Sequence, residues 1–193
     1  MLQIAVIGLQ GQLARSLAEL AGDSLRVTCL GRPELDLTDP PTIAAALWKA
    51  PADIVVNAAA YTAVDRAESE SDLAFAINRD GAQALATSCA QLGLPLIHIS
   101  TDYVFDGQKT TPYVEGDDCN PQGVYGRSKL EGEQAVLAAS SRAAILRTAW
   151  VHSPFGNNFV RTMLRLAGDR DRLRVVNDQQ GSPTYAPHLA QAI

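Results

Sequence analysis

A tyrosine followed four residues later by a lysine, Tyr125 and Lys129, is the strongest chemical signal in this sequence. A spacing of four places both side chains on the same face of a helix. The chain has five tyrosines and lysine at only three positions, so chance would produce this spacing in fewer than about one such sequence in ten. A phenol has an ordinary pKa near 10, and a neighbouring ammonium lowers that pKa by stabilising the phenolate. The pair therefore predicts a general acid, Tyr125, whose pKa is tuned by Lys129.

A hydroxyl side chain that could assist this acid is Thr101, which follows the apolar run Leu96–Ile99. Open α/β sheets bind their ligands at the carboxyl ends of the strands, and that run has the character of a buried strand. Thr101 is therefore a candidate for hydrogen bonding to a reacting oxygen. Taken alone, a threonine at this place is more typical of an ordinary strand-end cap.

A glycine turn, Gly8 to Ala14, follows the first apolar run and leads into a segment with helical spacing. Such a turn leaves the first N–H groups of the helix unpaired, and bare glycine backbone allows a diphosphate to approach them. Ala14 stands where a third glycine is more usual, and alanine is also small enough for close packing. The turn favours dinucleotide binding, with a plain strand–helix connection as the alternative.

Arg32 follows the second apolar run, where an acid that binds the ribose of NAD would be expected. A guanidinium at this place can hold a 2′-phosphate, which favours NADPH and leaves NADH possible. An ordinary surface arginine is the alternative interpretation.

Short apolar runs alternate with longer segments of helical spacing along the whole chain. We predict strands at Leu2–Ile7, Leu25–Leu30, Ile54–Val56, Leu96–Ile99, Ala143–Leu146 and Leu173–Val176. We predict helices at Leu13–Ala21, Ile43–Trp48, Leu73–Leu92, Ser128–Ala139 and Phe159–Ala167, the fourth of them opened by Tyr125. This alternation predicts an α/β fold, a doubly wound parallel sheet of Rossmann type with helices on both faces. The segment Ser100–Gly123 lacks clear periodicity and is expected to be a functional surface loop.

Composition narrows the classes of partner. A chain of 193 residues with 47% hydrophobic and 19% charged residues is typical of one globular domain, and no apolar run approaches the length of a membrane span. A formal net charge of −5 argues against nucleic acid as a partner. His98, His152 and His188 are too scattered to predict a metal site. The start of the chain has no export signal, so we expect a cytoplasmic protein without a membrane partner.

Several motifs together resemble the extended short-chain dehydrogenases that modify nucleotide sugars, and among them the dTDP-4-dehydrorhamnose reductase family. They are the glycine turn, Asn57 to Glu68, Ser100 to Gly107, Asn120-Pro121, Tyr125-x-x-x-Lys129, Arg147 to Val151 and Gly156 to Phe159. The resemblance covers essentially the whole chain, and it implies NADPH as the cofactor.

The resemblance also implies a role for each matching residue. The catalytic set would be Thr101, Tyr125 and Lys129, with Lys129 also fixing the ribose. The cofactor-binding set would be Gly8, Gln10, Gly11, Gln12 and Leu13 on the diphosphate, Asp36 and Leu37 beside the adenine, and Ala58, Ala59, Ala60, Tyr61 and Thr62 along the ribose and nicotinamide. The substrate set would be Thr101, Asp102, Tyr103 and Trp150 around the deoxysugar, with Asn158 near the nucleotide diphosphate.

The expected reaction is reduction of the 4-keto group of dTDP-4-dehydro-L-rhamnose. Related dehydratases carry an acid pair after the threonine, since eliminating water needs one group to donate a proton and another to remove one. Tyr103 takes the place of the second acid here, which favours reduction over dehydration or epimerisation. The alternatives are another nucleotide-sugar epimerase or dehydratase, and a non-catalytic regulatory subunit of the same fold. A homodimer is possible.

The end of the chain raises an expectation about domains. Residues 186–193 begin a helical pattern that stops without a C-terminal signal. We expect one cofactor-binding domain over residues 1–193, in which residues 150–193 begin a substrate-binding region whose carboxyl-terminal lobe is largely missing.

Overall fold

The computed structural model describes residues 1–193, and its centre is a five-stranded sheet in the order β2-β1-β3-β4-β5 with every pair parallel. The strands are β1 (Leu2–Ile7), β2 (Leu25–Leu30), β3 (Ile54–Asn57), β4 (Leu96–Thr101) and β5 (Ala143–Thr148). Their apolar sequences suit a sheet that is buried on both faces, as parallel sheets are. The predicted fold class and these five strands are confirmed.

Helices cover both faces of the sheet. They are α1 (Gln12–Ala18), α2 (Pro40–Lys49), α3 (Val64–Ala67), α4 (Ser71–Phe75), α5 (Ala82–Gln91), α6 (Val124–Ala139), α7 (Phe159–Asp169) and α8 (Ala186–Ala192). One hydrophobic core lies between the sheet and α2, α5 and α6, and a second lies between the sheet and α1 and α8. The site described below is positioned chiefly by α1 on one face and α6 on the other.

The chain order reverses beside β1, because the first crossover leads outward to β2 and the next returns to β3 on the other side. The carboxyl ends of β1 and β3 therefore open onto a crevice, and doubly wound folds bind ligands at such a switch point. The glycine turn after β1 and Ala58 to Ala60 after β3 lie at this edge.

The predicted helix Leu73–Leu92 is three segments rather than one. A π-helical turn at Ala76–Gly81 separates α4 from α5. The buried amide of Asn78 in this turn donates to the carbonyl of Tyr61 and to the hydroxyl of Ser128. Gly132 of α6 packs directly on the Asn78 carbonyl, where a Cβ would clash. Contacts that are distant in sequence therefore shape this segment, and helical periodicity does not reveal them.

The predicted strand Leu173–Val176 is wrong. These residues form no strand, and the side chains of Val175 and Val176 are 51% and 68% exposed. An apolar run becomes a strand only where its N–H and C=O groups find a partner, and no strand pairs with β5 on its outer side. A separate two-stranded parallel pair joins β6 (Val151–His152) to β7 (Thr184–Tyr185) instead. None of the helices has the length and apolar character needed to cross a membrane.

Candidate active site

A cavity of about 540 Å³ opens at the carboxyl edge of the sheet, where the predicted switch point lies. Most of the residues singled out in the sequence line it. They are Gln10, Gly11, Gln12, Leu13, Ala58, Ala59, Ala60, Thr62, Thr101, Asp102, Tyr103, Tyr125, Lys129 and Trp150. Residues from five separate stretches of the chain thus meet around one space.

The glycine turn forms the floor of the cavity beside α1. Gly8 has a φ of +129°, a conformation that side chains rarely adopt, and its N–H donates to the Leu30 carbonyl at 2.7 Å. No side chain caps the N-terminus of α1 at Gly11. The first N–H groups of the helix are therefore available to an anion in the cavity.

Gln12 ties the glycine turn to the segment after β5. Its side-chain amide donates to the Val151 carbonyl at 3.1 Å, and its side-chain oxygen accepts from Ser153 and Asn158, each at 2.9 Å. These bonds span more than 130 positions of sequence. The glycine turn and the segment after β5, which form two walls of the cavity, are therefore held together.

Thr101 ends β4 and begins a single 3-10 turn, Asp102–Val104. Its hydroxyl oxygen accepts from the Tyr103 N–H at 3.2 Å, and the hydroxyl donates to the Asp102 carboxylate at 3.1 Å. Burial raises the pKa of Asp102, and the Thr101 hydrogen bond opposes that shift. Thr101 therefore caps the end of its strand and also lines the cavity, so the two interpretations of this residue are compatible.

Tyr125 lies in the first turn of α6 and its ring meets that of Tyr103 edge-on, with 5.6 Å between centroids. Burial raises the pKa of the Tyr125 phenol to about 12, and the Thr101 side chain opposes the shift by hydrogen bonding. At neutral pH the phenol is therefore protonated, which is the state in which a general acid begins its work.

Lys129 lies in the cavity wall, 2% exposed, and its ammonium does not bond to Tyr125. The Nζ atom donates to the Ile99 carbonyl at 2.7 Å and stands 3.4 Å from Nε2 of His98. The predicted lowering of the Tyr125 pKa by Lys129 is wrong for this structure, because the lysine is directed at β4 and burial dominates at the phenol. Burial lowers the pKa of Lys129 itself to about 8, against the opposing charge of Glu133.

Trp150 has a positive φ of 49°, which is unusual for a residue other than glycine. Its indole is 48% exposed in the cavity mouth and packs on Gly181, where a Cβ would lie 2.7 Å from the ring. The Trp150 carbonyl accepts from the Thr184 N–H at 3.3 Å. Contacts with the segment before β7 thus hold this strained backbone and aim the ring at the cavity.

Six of the residues predicted to bind ligands lie outside the cavity lining: Gly8, Arg32, Asp36, Leu37, Tyr61 and Asn158. Gly8 underlies the turn, and Arg32 is exposed just past the end of β2. Leu37 is buried against the backbone of Gly81, and Asp36 has its pKa lowered by hydrogen bonds from Thr38 and, more weakly, by the charge of Arg32.

The last two of these six have structural partners. The Tyr61 hydroxyl donates to Glu70 at 2.7 Å, while its neighbours Ala60 and Thr62 face the cavity. The Asn158 side chain accepts from the Arg161 N–H as the cap of α7. The ligand contacts proposed for these two residues stay predictions.

Eight residues in the lining had no predicted role in the site, although all except Ile99 lie within the motifs that carry the resemblance: Val64, Ile99, Ser100, Thr148, Ala149, Val151, Gly156 and Asn157. Ser100 stands out among them, because its hydroxyl is the one buried side-chain oxygen or nitrogen without a hydrogen-bond partner. Its position beside Thr101 at the strand end was the available signal. Hydrophobic neighbours such as Val64 and Val151 give no chemical signal in a sequence.

Two carboxylates hold α6, which carries both Tyr125 and Lys129. A side-chain oxygen of Glu68, the residue that follows α3, accepts from the Val124 N–H at 2.7 Å and so caps the start of the helix. Further along, the buried Glu133 carboxylate accepts from Nε and Nη2 of Arg147, the latter at 2.6 Å. The orientation of α6 is therefore fixed at both ends of the site.

The sequence profile of the RmlD substrate binding domain matches residues 2–193. The chain belongs to this family. A dTDP-4-dehydrorhamnose reductase from Sinorhizobium fredii is 53% identical over 192 residues, which cover 100% of this chain and 65% of the relative. This member of the RmlD family thus spans less than two thirds of that relative's length.

Solved structures agree with the family assignment. A dTDP-4-dehydrorhamnose reductase from Clostridium acetobutylicum superposes with a TM-score of 0.94 at 41% identity, covering 99% of this chain and 68% of its own. The enzyme from Bacillus anthracis, in complex with NADP, superposes with a TM-score of 0.96 at 38% identity, covering 100% of this chain and 69% of its own. The Bacillus anthracis relative, which has the same fold, therefore binds NADP.

Proposed function

We propose that this chain binds NADPH and takes part in reducing the 4-keto group of dTDP-4-dehydro-L-rhamnose to give dTDP-L-rhamnose. The observation that carries the proposal is the meeting of Thr101, Tyr125 and Lys129 around the same cavity as the glycine turn. The names of its relatives give the substrate class.

The residues present fit a dinucleotide on structural grounds. A side chain at Gly8 would strain the backbone, and the uncapped start of α1 offers N–H groups to a diphosphate. Ser100 lines the same cavity, and its buried hydroxyl has no hydrogen-bond partner in the protein, which is costly for a polar group. Exposed Arg32 lies at the same edge of the sheet, where we propose that it meets a 2′-phosphate.

NADPH supplies the hydride that reduces the sugar carbonyl. Tyr125 holds the proton that the reduced oxygen must receive, and its raised pKa keeps that proton in place until the oxygen becomes strongly basic. We assign to Thr101 a hydrogen bond to the same oxygen, since its hydroxyl lies at the cavity end of β4. The single hydroxyl proton, which Thr101 donates to Asp102 in this structure, would turn from that carboxylate to the sugar oxygen. Lys129, beside Thr101 and Tyr125 in the cavity wall, holds the ribose of the cofactor.

The sugar end of the substrate lies, in this proposal, against Asp102, Tyr103 and Trp150. Tyr103 and Trp150 are both about half exposed at the cavity mouth, so they offer apolar surface to a deoxysugar. Residues 150–193 would begin the substrate-binding region, and Asn158 would lie near the nucleotide diphosphate.

The test is NADPH oxidation with dTDP-4-dehydro-L-rhamnose as substrate. We would compare this chain with a completed chain, defined as this chain followed by the remaining carboxyl-terminal third of the Sinorhizobium fredii relative. In the completed chain, Tyr125→Phe should lower turnover by about 10² to 10⁴ with little change in NADPH affinity, because only the proton donor is lost.

Tyr185→Phe is the matched control. The Tyr185 ring lies between His152 and His188, outside the cavity lining, and its hydroxyl makes no hydrogen bond. This variant should keep its turnover. Near-normal turnover of Tyr125→Phe would refute the assignment of the acid, and no turnover by any completed chain would refute the reaction.

A further inference from the structure

A buried chain of three polar side chains, Asn57, His98 and Lys129, runs from the cofactor side of the cavity to the lysine of the site. Asn57 and His98 are paired in register on β3 and β4, and each is 1% exposed. The Asn57 Nδ2 atom lies 3.0 Å from Nδ1 of His98, and His98 Nε2 lies 3.4 Å from Nζ of Lys129. His98 therefore stands between the asparagine and the lysine.

The backbone decides which way the Asn57 amide faces. The Ala59 N–H donates to Oδ1 of Asn57 at 3.2 Å, so the amide oxygen is directed at the backbone and the NH₂ group at His98. An amide NH₂ can only donate, so Nδ1 of His98 must be the acceptor. The single proton of the neutral imidazole is then on Nε2, facing Lys129.

His98 remains neutral in this position. Burial and the neighbouring charge of Lys129 hold its pKa well below the ordinary value. The Nε2–H bond therefore presents a donor to Nζ throughout the neutral range. An uncharged amine can accept that bond with its lone pair, whereas an ammonium has only donors to offer.

From this geometry we infer that His98 is a positioning residue, held by Asn57 with its proton on Nε2, that favours the uncharged amine of Lys129. The groups that face Lys129 are His98 from β4 and, on its own helix, Tyr125 and Glu133. Glu133 favours the ammonium, but its carboxylate is bound by Arg147 of β5. Burial by itself lowers the pKa of Lys129 to about 8, and the donor on His98 would act in the same direction.

The consequence is a lysine that exchanges its proton near neutral pH. The inference deepens the proposed function and rests on it for the role of Lys129 at the ribose. Because Ala59 lines the cavity and also orients Asn57, the protonation of Lys129 is tied to the same loop that would hold the cofactor.

Two nuclear magnetic resonance measurements test the inference without turnover, so its failure is separable from failure of the proposed function. The first uses the unmodified chain with ¹⁵N-labelled histidine, of which there are three, with the His98 signals assigned by their loss in His98→Gln. We expect His98 to carry its proton on Nε2 and none on Nδ1, both with and without added NADPH, and we expect this state to be unchanged from pH 6 to 9. A proton on Nδ1, or an imidazolium in that range, would overturn the inference.

The second measurement follows the ¹³Cε signal of Lys129 against pH, with Lys49 and Lys109 as internal references. Asn57→Asp replaces the donor with a second acceptor, so His98 should move its proton to Nδ1 and accept from the Lys129 ammonium through Nε2. The midpoint of Lys129 should then rise by at least about one pH unit. If the Lys129 midpoint rises while the His98 proton stays on Nε2, the charge of the new carboxylate at position 57 acts directly on Lys129. If the midpoint is unchanged, His98 does not control the protonation of Lys129. Either result contradicts the inference.

Discussion

Replacing Lys129 with methionine should stabilise the folded chain while removing a residue of the site. Folding lowers the Lys129 pKa from 10.5 to about 8, and at about 1.4 kcal/mol per unit this costs about 3 kcal/mol at pH 7. Methionine is similar in length and carries no charge. The lost hydrogen bond to the Ile99 carbonyl offsets about 1 kcal/mol. The expected net gain in the free energy of unfolding is therefore about 2 kcal/mol.

The gain should depend on pH in a defined direction. Between about pH 8 and 10.5 the unfolded chain holds the Lys129 proton and the folded chain does not, so the stability of the unmodified chain rises with pH in that window. Lys129→Met lacks this rise. Its advantage should be full at pH 7 and close to zero by about pH 10.

Urea unfolding at both pH values measures the difference, with Lys49→Met as the control. Lys49 is exposed at the end of α2, so its replacement should change the free energy of unfolding by no more than about 0.5 kcal/mol at either pH. If Lys129→Met is less stable than the unmodified chain at pH 7, or if its advantage is the same at pH 10, the argument from burial of the ammonium is wrong.

Three further outcomes are expected from the same structure. Arg32→Ala should weaken NADPH binding about tenfold or somewhat more and leave NADH binding unchanged in calorimetry, because only NADPH carries the 2′-phosphate; equal losses for both cofactors would remove Arg32 from phosphate binding. Gly132→Ala should lower the free energy of unfolding by about 1 to 3 kcal/mol in urea, because the added Cβ meets the Asn78 carbonyl. Gly168 is a helical glycine with open space around it, so Gly168→Ala should raise the free energy of unfolding by up to about 1 kcal/mol. Similar effects at the two sites would contradict the packing described for α6. Ser100→Ala should leave the free energy of unfolding unchanged or raise it by about 1 kcal/mol, since the hydroxyl has no partner to lose, and a clear loss of stability would show that it has one.

Local sequence signals were sufficient to predict the strands of the sheet and many of the residues that line the cavity. The apolar runs of β1 to β5 can be recognised individually, and each is followed by a glycine or a polar residue that marks the end of the run: Gly8, Gly31, Asn57, Ser100 and Arg147. The spacing of Tyr125 and Lys129 survives in the structure because α6 is regular from Val124 onward. Placing these parts at one edge of the sheet follows from parallel pairing alone.

What the sequence did not reveal depends on contacts between distant residues. The direction of the Lys129 ammonium is set by Ile99 and His98, which precede it by about thirty positions. The positive φ of Trp150 is supported by the segment around Gly181. The run Leu173–Val176 has a strand-like composition but no partner, and composition cannot show whether a neighbouring strand is present.

Direct transfer of a labelled hydride tests the central claim most closely. NADPH carrying deuterium at both positions of the nicotinamide C4 would be incubated with dTDP-4-dehydro-L-rhamnose and the completed chain, and the product examined by mass spectrometry and proton resonance. We predict dTDP-L-rhamnose with one deuterium at C4 of the sugar, formed by the unmodified completed chain and formed about 10² to 10⁴ times more slowly by Tyr125→Phe. Oxidation of NADPH without deuterium at C4, or labelling by Tyr125→Phe at the unmodified rate, would contradict the proposed reduction at this site.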